Sequence, residues 1–213
     1  MRALCLSVNN FWLAWARAHE RAPSDRPVVL LVAGRVRACS REARLAGVQP
    51  GQPERAVLAR CPEAHVQEVR ENAPRAAWRQ LLAALGKLSP LVESPREGIA
   101  CLPPTGLERH YKSELQLGQA VGQTVQENLA LAGGIGIADG KFVAEAAASQ
   151  AYPGQVLVVP TGAERYFLQE LPASLLPLDD ESQRQLRLLG IQTLEQYSAL
   201  PYDAVQSRFG RPG

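Results

Sequence analysis

The stretch from Gly133 to Gln150, GGIGIADGKFVAEAAASQ, constrains this chain more than any other. An apolar, glycine-bearing run leads into a tight turn at Asp139-Gly140, and an alanine-rich helix opens at Lys141. A strand that turns directly into a helix presents N-terminal backbone amides beside the strand end, the arrangement by which folds hold phosphates. Two phosphate loops can be tested against it, and both fail. A P-loop needs Gly, four residues, then Gly-Lys-Ser/Thr; here Ile135 stands at the first Gly and Phe142 follows Lys141. The dinucleotide fingerprint needs a third Gly, where Gly134-x-Gly136-x-x ends on Asp139. Two readings stay open: a strand-turn-helix unit facing an anion, or a buried packing unit whose glycines only make the turn.

The 213 residues, 46% hydrophobic and 21% charged, suffice for a real core and up to three small domains. No run reaches the roughly 18 apolar residues of a membrane span. The N-terminal segment is broken by Asn9, Asn10 and Arg17 before a signal-like run develops. Cys5, Cys39, Cys61 and Cys101 are widely spaced and form no CxxC or Cys/His cluster. Spacing therefore indicates neither a zinc site nor a disulfide framework, and a reduced cytoplasmic protein is expected. The net charge of +2 hides an asymmetry: residues 1–60 hold ten arginines against four acids, a balance of +6 that leaves −4 for the rest. Arginine suits bidentate phosphate contacts, so Arg35, Arg37, Arg41 and Arg44 are candidates for a nucleic-acid face, the alternative being a plain solvated surface. His19, His65 and His110 show no catalytic clustering, and Trp12, Trp15 and Trp78 read as core or partner anchors.

Read in order, strands are expected near 3–8, 28–33, 34–37, 65–69, 91–93, 98–102, 134–138 and 155–159. Helices are expected near 11–21, 41–46, 53–60, 71–88, 113–131 and 141–150. Ser40 and Ser113 are the expected N-caps. The alternation implies an α/β fold. From Leu171 onward the strand signal vanishes: a helix at 179–189 is broken by Gly190-Ile191, Thr193 caps a second, and Pro201 starts a third that ends at Phe209-Gly210. Two short helices around a Gly-Ile turn form the pattern of a helix-hairpin-helix, or of a plain helical hairpin with a glycine cap.

The motif order resembles the Y-family (translesion, UmuC/DinB-like) DNA polymerases. Ser40–Gly51, SREARLAGVQPG, with Arg60-Cys61-Pro62, resembles the fingers run; Gly98–Gly106, GIACLPPTG, resembles the palm strand ending in LDVTG. Gly134–Val159 resembles the GIG-x-NK-x-x-AK block, and Leu188–Gly210 resembles the thumb. The resemblance implies a palm of residues 1–8 and 66–160 with a mixed or antiparallel sheet, inserted fingers at 9–65, and an all-α helix-hairpin-helix thumb at 161–213. It does not extend to the family's little-finger domain.

Polymerisation needs clustered carboxylates to hold divalent metal. The alignment places Ser7 at the family's first carboxylate, Asn9 at a neighbouring acid, and Gly98 and Ile99 at the Asp-Glu pair. Glu93 and Glu97 lie nearby, but a one-residue shift turns a strand side chain to the opposite face, so Glu97 needs a bulge to take over. Arg41 replaces the fingers tyrosine while Arg44 keeps the arginine that follows it. Lys141 keeps the first lysine of the later block and Glu145 replaces the second. These losses resemble the catalytically inactive ImuB-like branch. The resemblance then implies no catalytic residue, no metal and no cofactor in a DNA-binding adaptor of damage-induced mutagenesis, cytoplasmic and nucleoid-associated. Its implied partners are weakly bound primer-template or damaged DNA, an error-prone polymerase subunit, an ImuA-like protein and the sliding clamp, with no membrane contact. Lys141, Gly190, Ile191 and Thr193 join the four arginines as nucleic-acid candidates. Gln185–Leu189, QLRLL, mimics a clamp motif, but its leucines are expected to pack a core. Two alternatives stand beside the adaptor: an active error-prone polymerase using Glu93, Glu97 and Mg²⁺, and a protein-interaction module without DNA binding.

Overall fold

The computed structural model describes residues 1–107 and 110–209. Its α/β architecture is organised around β7 (Gly134–Asp139) and α6 (Lys141–Gln150), with Gly140 at φ 86° making the turn between them. A Cβ added to Gly136 would stand 2.1 Å from the Ala144 carbonyl oxygen and 2.3 Å from the Ala148 nitrogen; one on Gly134 would stand 2.3 Å from the Ala148 oxygen. The glycines therefore let the helix backbone lie against the strand backbone, and Ala144, Ala147 and Ala148 are buried there. That is the second reading of this stretch, present whether or not its amides also face an anion.

Five strands make the main sheet, in order β5 (Glu93–Arg96), β6 (Ile99–Leu102), β1 (Arg2–Ser7), β7, β8 (Val156–Val158). Neighbours are antiparallel except β7 and β8, whose parallel pairing follows from the crossover through α6. Side chains alternate across β1. Leu4 and Leu6 enter the main core with Trp78, Leu81 and Leu85 of α4 (Asn72–Leu85) and Leu117, Val121, Val125 and Leu129 of α5 (Glu114–Leu129). Four-residue spacing puts the α5 side chains in one stripe, and Ser113 caps the helix by accepting from the Gln116 amide. Leu115, off that stripe, is exposed. The opposite side of β1, carrying Cys5 and Ser7, runs past α6.

Between α1 (Phe11–His19) and β4 (His65–Glu68) the chain builds a second sheet, β3 (Arg35–Cys39), β2 (Val28–Val32), β4. β2 and β3 form a hairpin with a bulge at Leu30/Leu31, and β4 pairs with β2 in parallel. α2 (Arg41–Leu45) and α3 (Glu54–Arg60) cover a separate cluster of Val29, Leu31, Val36, Cys39, Val48, Val57 and Cys61. Ser40 caps α2 by accepting from Ala43 and also accepts from the Val28 amide, so one buried hydroxyl serves two segments. Burial, then the Glu63 carboxylate, pushes the Cys61 thiol up to about 11.

Cys5 and Cys101 are joined in a disulfide, against the expectation from spacing. The two are directly opposite in the β1–β6 register with Cα atoms 4.1 Å apart, yet 96 residues apart in sequence. Pairing across a sheet decides their contact, and spacing along the chain carries no trace of it.

Residues from Val159 form a second compact unit. α7 (Glu164–Gln169) and a 3-10 turn (Ala173–Leu175), neither foreseen from sequence, precede α8 (Asp180–Leu188), α9 (Leu194–Ser198) and α10 (Tyr202–Phe209). The expected helix stop at Gly210 lies outside the described residues. Ala173, Leu186 and Ile191 form the small core. No helix among the described residues is long and apolar enough to cross a membrane.

Gly136→Ala is expected to cost at least about 3 kcal/mol in urea unfolding, because backbone atoms cannot yield to a methyl group. Gly34, at φ 70° with open space around it, should lose only about 1 kcal/mol on the same change.

Candidate nucleic-acid interface

The end of β1 and the β5–β6 turn meet where the sequence comparison places the acidic positions. Ser7 pairs with Ile99 on one side and Gly134 on the other, and is 2% exposed. Its hydroxyl donates to Asn9 Oδ1 at 3.1 Å, and Asn9 Nδ2 donates to the Ser149 carbonyl at 3.4 Å. Gly98 is buried at φ 91°, and a Cβ there would stand 2.8 Å from the Val8 oxygen and 3.1 Å from Phe11 Cβ. No side chain, acidic or otherwise, fits at Gly98 without displacing the backbone of Val8. Ile99 is buried and apolar.

The nearby carboxylates are committed elsewhere. The register does shift between Glu93 and Arg96, as a bulge requires, but Glu97 falls in the turn and is shared by three donors. Trp12 Nε1 donates to Glu97 Oε2 at 2.7 Å, Arg37 Nη2 to the same oxygen at 3.0 Å, and Arg75 Nε lies 3.3 Å from Oε1. The Arg37 guanidinium also stacks over the Trp12 ring, 4.5 Å from its centroid. Glu93 pairs with Lys141, and Glu145 pairs with Arg96. Arg96 thus answers the carboxylate that replaces a lysine, a compensation invisible without the sheet. Among the described residues no group of three His, Cys, Asp or Glu is placed to hold a metal ion.

The arginine candidates divide. Arg37 is drawn into the Glu97 cluster, whereas Arg35 is exposed and donates to the Gly51 carbonyl. Arg41 and Arg44 are exposed, three apart on α2 and so on one side of it. Lys141 is exposed at the first turn of α6, its charge offset by Glu93.

In the second unit Gly190 turns at φ 73°, and Thr193 caps α9 in a capping box with Gln196. The hairpin amides are used internally. Gly190 donates to the Arg187 carbonyl and Ile191 to that of Leu186, while Gln192 and Thr193 both donate to Gln196 Oε1. A phosphate there must displace the Gln196 carboxamide. Asp179 accepts from the Ser182 amide as the cap of α8, and that bond holds its carboxyl below the ordinary range. The leucines of Gln185–Leu189 do not all pack inward: Leu186 is buried, but Leu188 is 77% and Leu189 50% exposed, because α8 turns one side alone toward its small core.

Sequence reasoning missed the Glu97 cluster and the Arg96–Glu145 pair. Each joins residues remote in the chain, and neither carries a spacing signal. Glu97→Ala should cost about 1–3 kcal/mol in urea unfolding, since it strands the Trp12 N–H and two guanidinium groups. Arg75→Ala, which leaves Glu97 with two donors, should cost under about 1 kcal/mol.

Residues 6–149 match the model of the impB/mucB/samB family. A DNA polymerase IV of Dehalococcoides mccartyi is 29% identical over 98% of this chain and 55% of its own length. One from Streptomyces coelicolor is 28% identical over 98% of this chain and 45% of its own. This chain therefore spans about half the length of the curated relatives it matches. The crystal structure of DinB from Sulfolobus solfataricus superposes with a TM-score of 0.80 at 22% identity, covering 99% of this chain and 64% of that one. The insertion ternary complex of Dbh DNA polymerase gives 0.74 at 21%, covering 99% and 64%. These likenesses show the fold.

The relatives correct one expectation. They are named polymerases, and nucleotidyl transfer runs on divalent metal, so the expectation of no cofactor falls. The residues at the β1–β6 end nevertheless do not fit such a metal pair as they stand: Ser7, Gly98 and Ile99 offer no carboxylate, and Glu93 and Glu97 are held by cations. The family itself is settled by the match: the chain belongs to the impB/mucB/samB family and carries the UmuC/DinB-type Y-family polymerase fold.

Proposed function

We propose that this chain engages primer-template DNA as a Y-family polymerase unit in translesion synthesis. The observation that supports it best is the exposure of Arg35 on β3 and of Arg41 and Arg44 on one side of α2, cations suited to backbone phosphates. In this reading residues 1–8 and 66–160 act as palm, 9–65 as fingers and 161–213 as thumb, in a cytoplasmic, nucleoid-associated protein.

Two finer readings follow. The names of the relatives favour an error-prone polymerase over a non-catalytic adaptor. Catalysis then requires Glu93 to release Lys141, or Glu97 to release Arg37 and Arg75, before either carboxylate can serve. The side-chain set at Ser7, Gly98 and Ile99 favours an adaptor of the ImuB-like kind, with an error-prone polymerase subunit, an ImuA-like protein and the sliding clamp as partners.

Primer extension and DNA binding measured together separate these. Binding should weaken on the order of 10²-fold between 50 and 200 mM salt, as release of about four counterions requires. Arg41→Glu with Arg44→Glu should flatten that salt dependence. Template-dependent extension that disappears in Glu93→Gln or Glu97→Gln establishes the polymerase. Binding without extension in Mg²⁺ or Mn²⁺ establishes the adaptor. Failure to bind primer-template DNA at any salt overturns the proposal and leaves a protein-interaction module.

A further inference from the structure

The Cys5–Cys101 pair lies on the same side of the sheet as Ser7 and Ile99, two residues along each strand. Cys5 Sγ sits 3.7 Å from the Lys141 carbonyl, beneath the first turn of α6. On its other edge Cys101 is directly opposite Glu93, which holds the Lys141 ammonium. Cys5 thus lies against the backbone of Lys141, and Cys101 is paired in register with the residue whose carboxylate holds the Lys141 side chain. The bond also closes a loop that contains α1, the whole inserted sheet and α4. Cys39 and Cys61, by contrast, are free and buried in the separate cluster of the inserted sheet.

From this placement we propose that Cys5 and Cys101 form a thiol–disulfide redox site whose oxidation fixes β1 to β6 beneath the start of α6. The exchange partner is a low-molecular-weight disulfide. The Cys101 thiolate attacks one of its sulfurs, forming a mixed disulfide and releasing one small thiol. The Cys5 thiolate then attacks the Cys101 sulfur, and the second small thiol leaves. Two protein thiols lose two protons and two electrons, and one small disulfide becomes two thiols. Cys101 attacks first because it is 5% exposed, whereas Cys5 is 0% exposed and covered by α6. Reduction reverses the sequence and removes the covalent tie, leaving the strand pair to backbone hydrogen bonds and core packing.

The test equilibrates the whole chain across a range of glutathione to glutathione-disulfide ratios, followed by acid quenching, unfolding, alkylation and mass spectrometry. Four alkylated cysteines are expected at the reducing end and two, Cys39 and Cys61, at the oxidising end. The oxidised form should melt roughly 5–15 °C higher. Its amides over residues 134–145 should also exchange more slowly with deuterium. A chain carrying Cys39→Ser and Cys61→Ser should keep both differences. Four alkylatable thiols at every ratio, glutathione adducts in place of the internal bond, or identical melting and exchange in the two forms each overturn the proposal. The titration of the unmodified chain decides the matter even where a cysteine variant fails to fold.

Discussion

The approach of α6 to β7, backbone against backbone, is the constraint on which the first unit depends. An ordinary helix stands off a sheet by the thickness of its side chains. Here Gly134 and Gly136 on the strand, with Ala144, Ala147 and Ala148 on the helix, remove that thickness. The close contact places Lys141 at the strand end, within reach of Glu93 on β5 and over Cys5 on β1. A helix set farther out would part all three. The glycines are thus required by packing before any ligand is considered, and the turn glycine, Gly140, is the least constrained of them by space.

Around that scaffold the charged side chains have found partners within the protein. Glu97 joins α1, β3 and α4 in one cluster, so it ties the inserted sheet to the main one. Arg96 meets Glu145, and Lys141 meets Glu93. These pairs are partly exposed, and each contributes modestly to stability. Their larger consequence is for chemistry, because a carboxylate already answering a guanidinium is a poor ligand for a second cation. The end of the sheet around Ser7 and Ile99 gathers neutral groups and closed ion pairs.

The legibility of the fold followed the range of the interactions that build it. The α5 stripe of Leu117, Val121, Val125 and Leu129 and the caps Ser40, Ser113 and Thr193 involve neighbours within a few residues, and all are written locally. The glycine-rich strand before an alanine-rich helix was equally visible as a unit, although its purpose was not. The candidate site was expected from sequence at Ser7, Gly98, Ile99 and Glu145. What those residues touch was hidden: the steric closure at Gly98, the rescue of Glu145 by Arg96, and the sharing of Glu97 all depend on elements brought together from afar. Leu188 and Leu189 show the opposite error, since apolar identity suggested burial and the helix's orientation denied it.

The sequence by itself determined the family, the order of elements through residue 158 and the arginine-rich first 60 residues. These rest on residue identity and short-range periodicity, which need no knowledge of what lies across a sheet. The tertiary structure alone decided that Cys5 faces Cys101, that Glu97 is surrounded by donors, and that Arg96 answers Glu145. Strand register and helix placement set those contacts. A shift of one residue in β1 would send every β1 side chain to the other face and part Cys5 from Cys101.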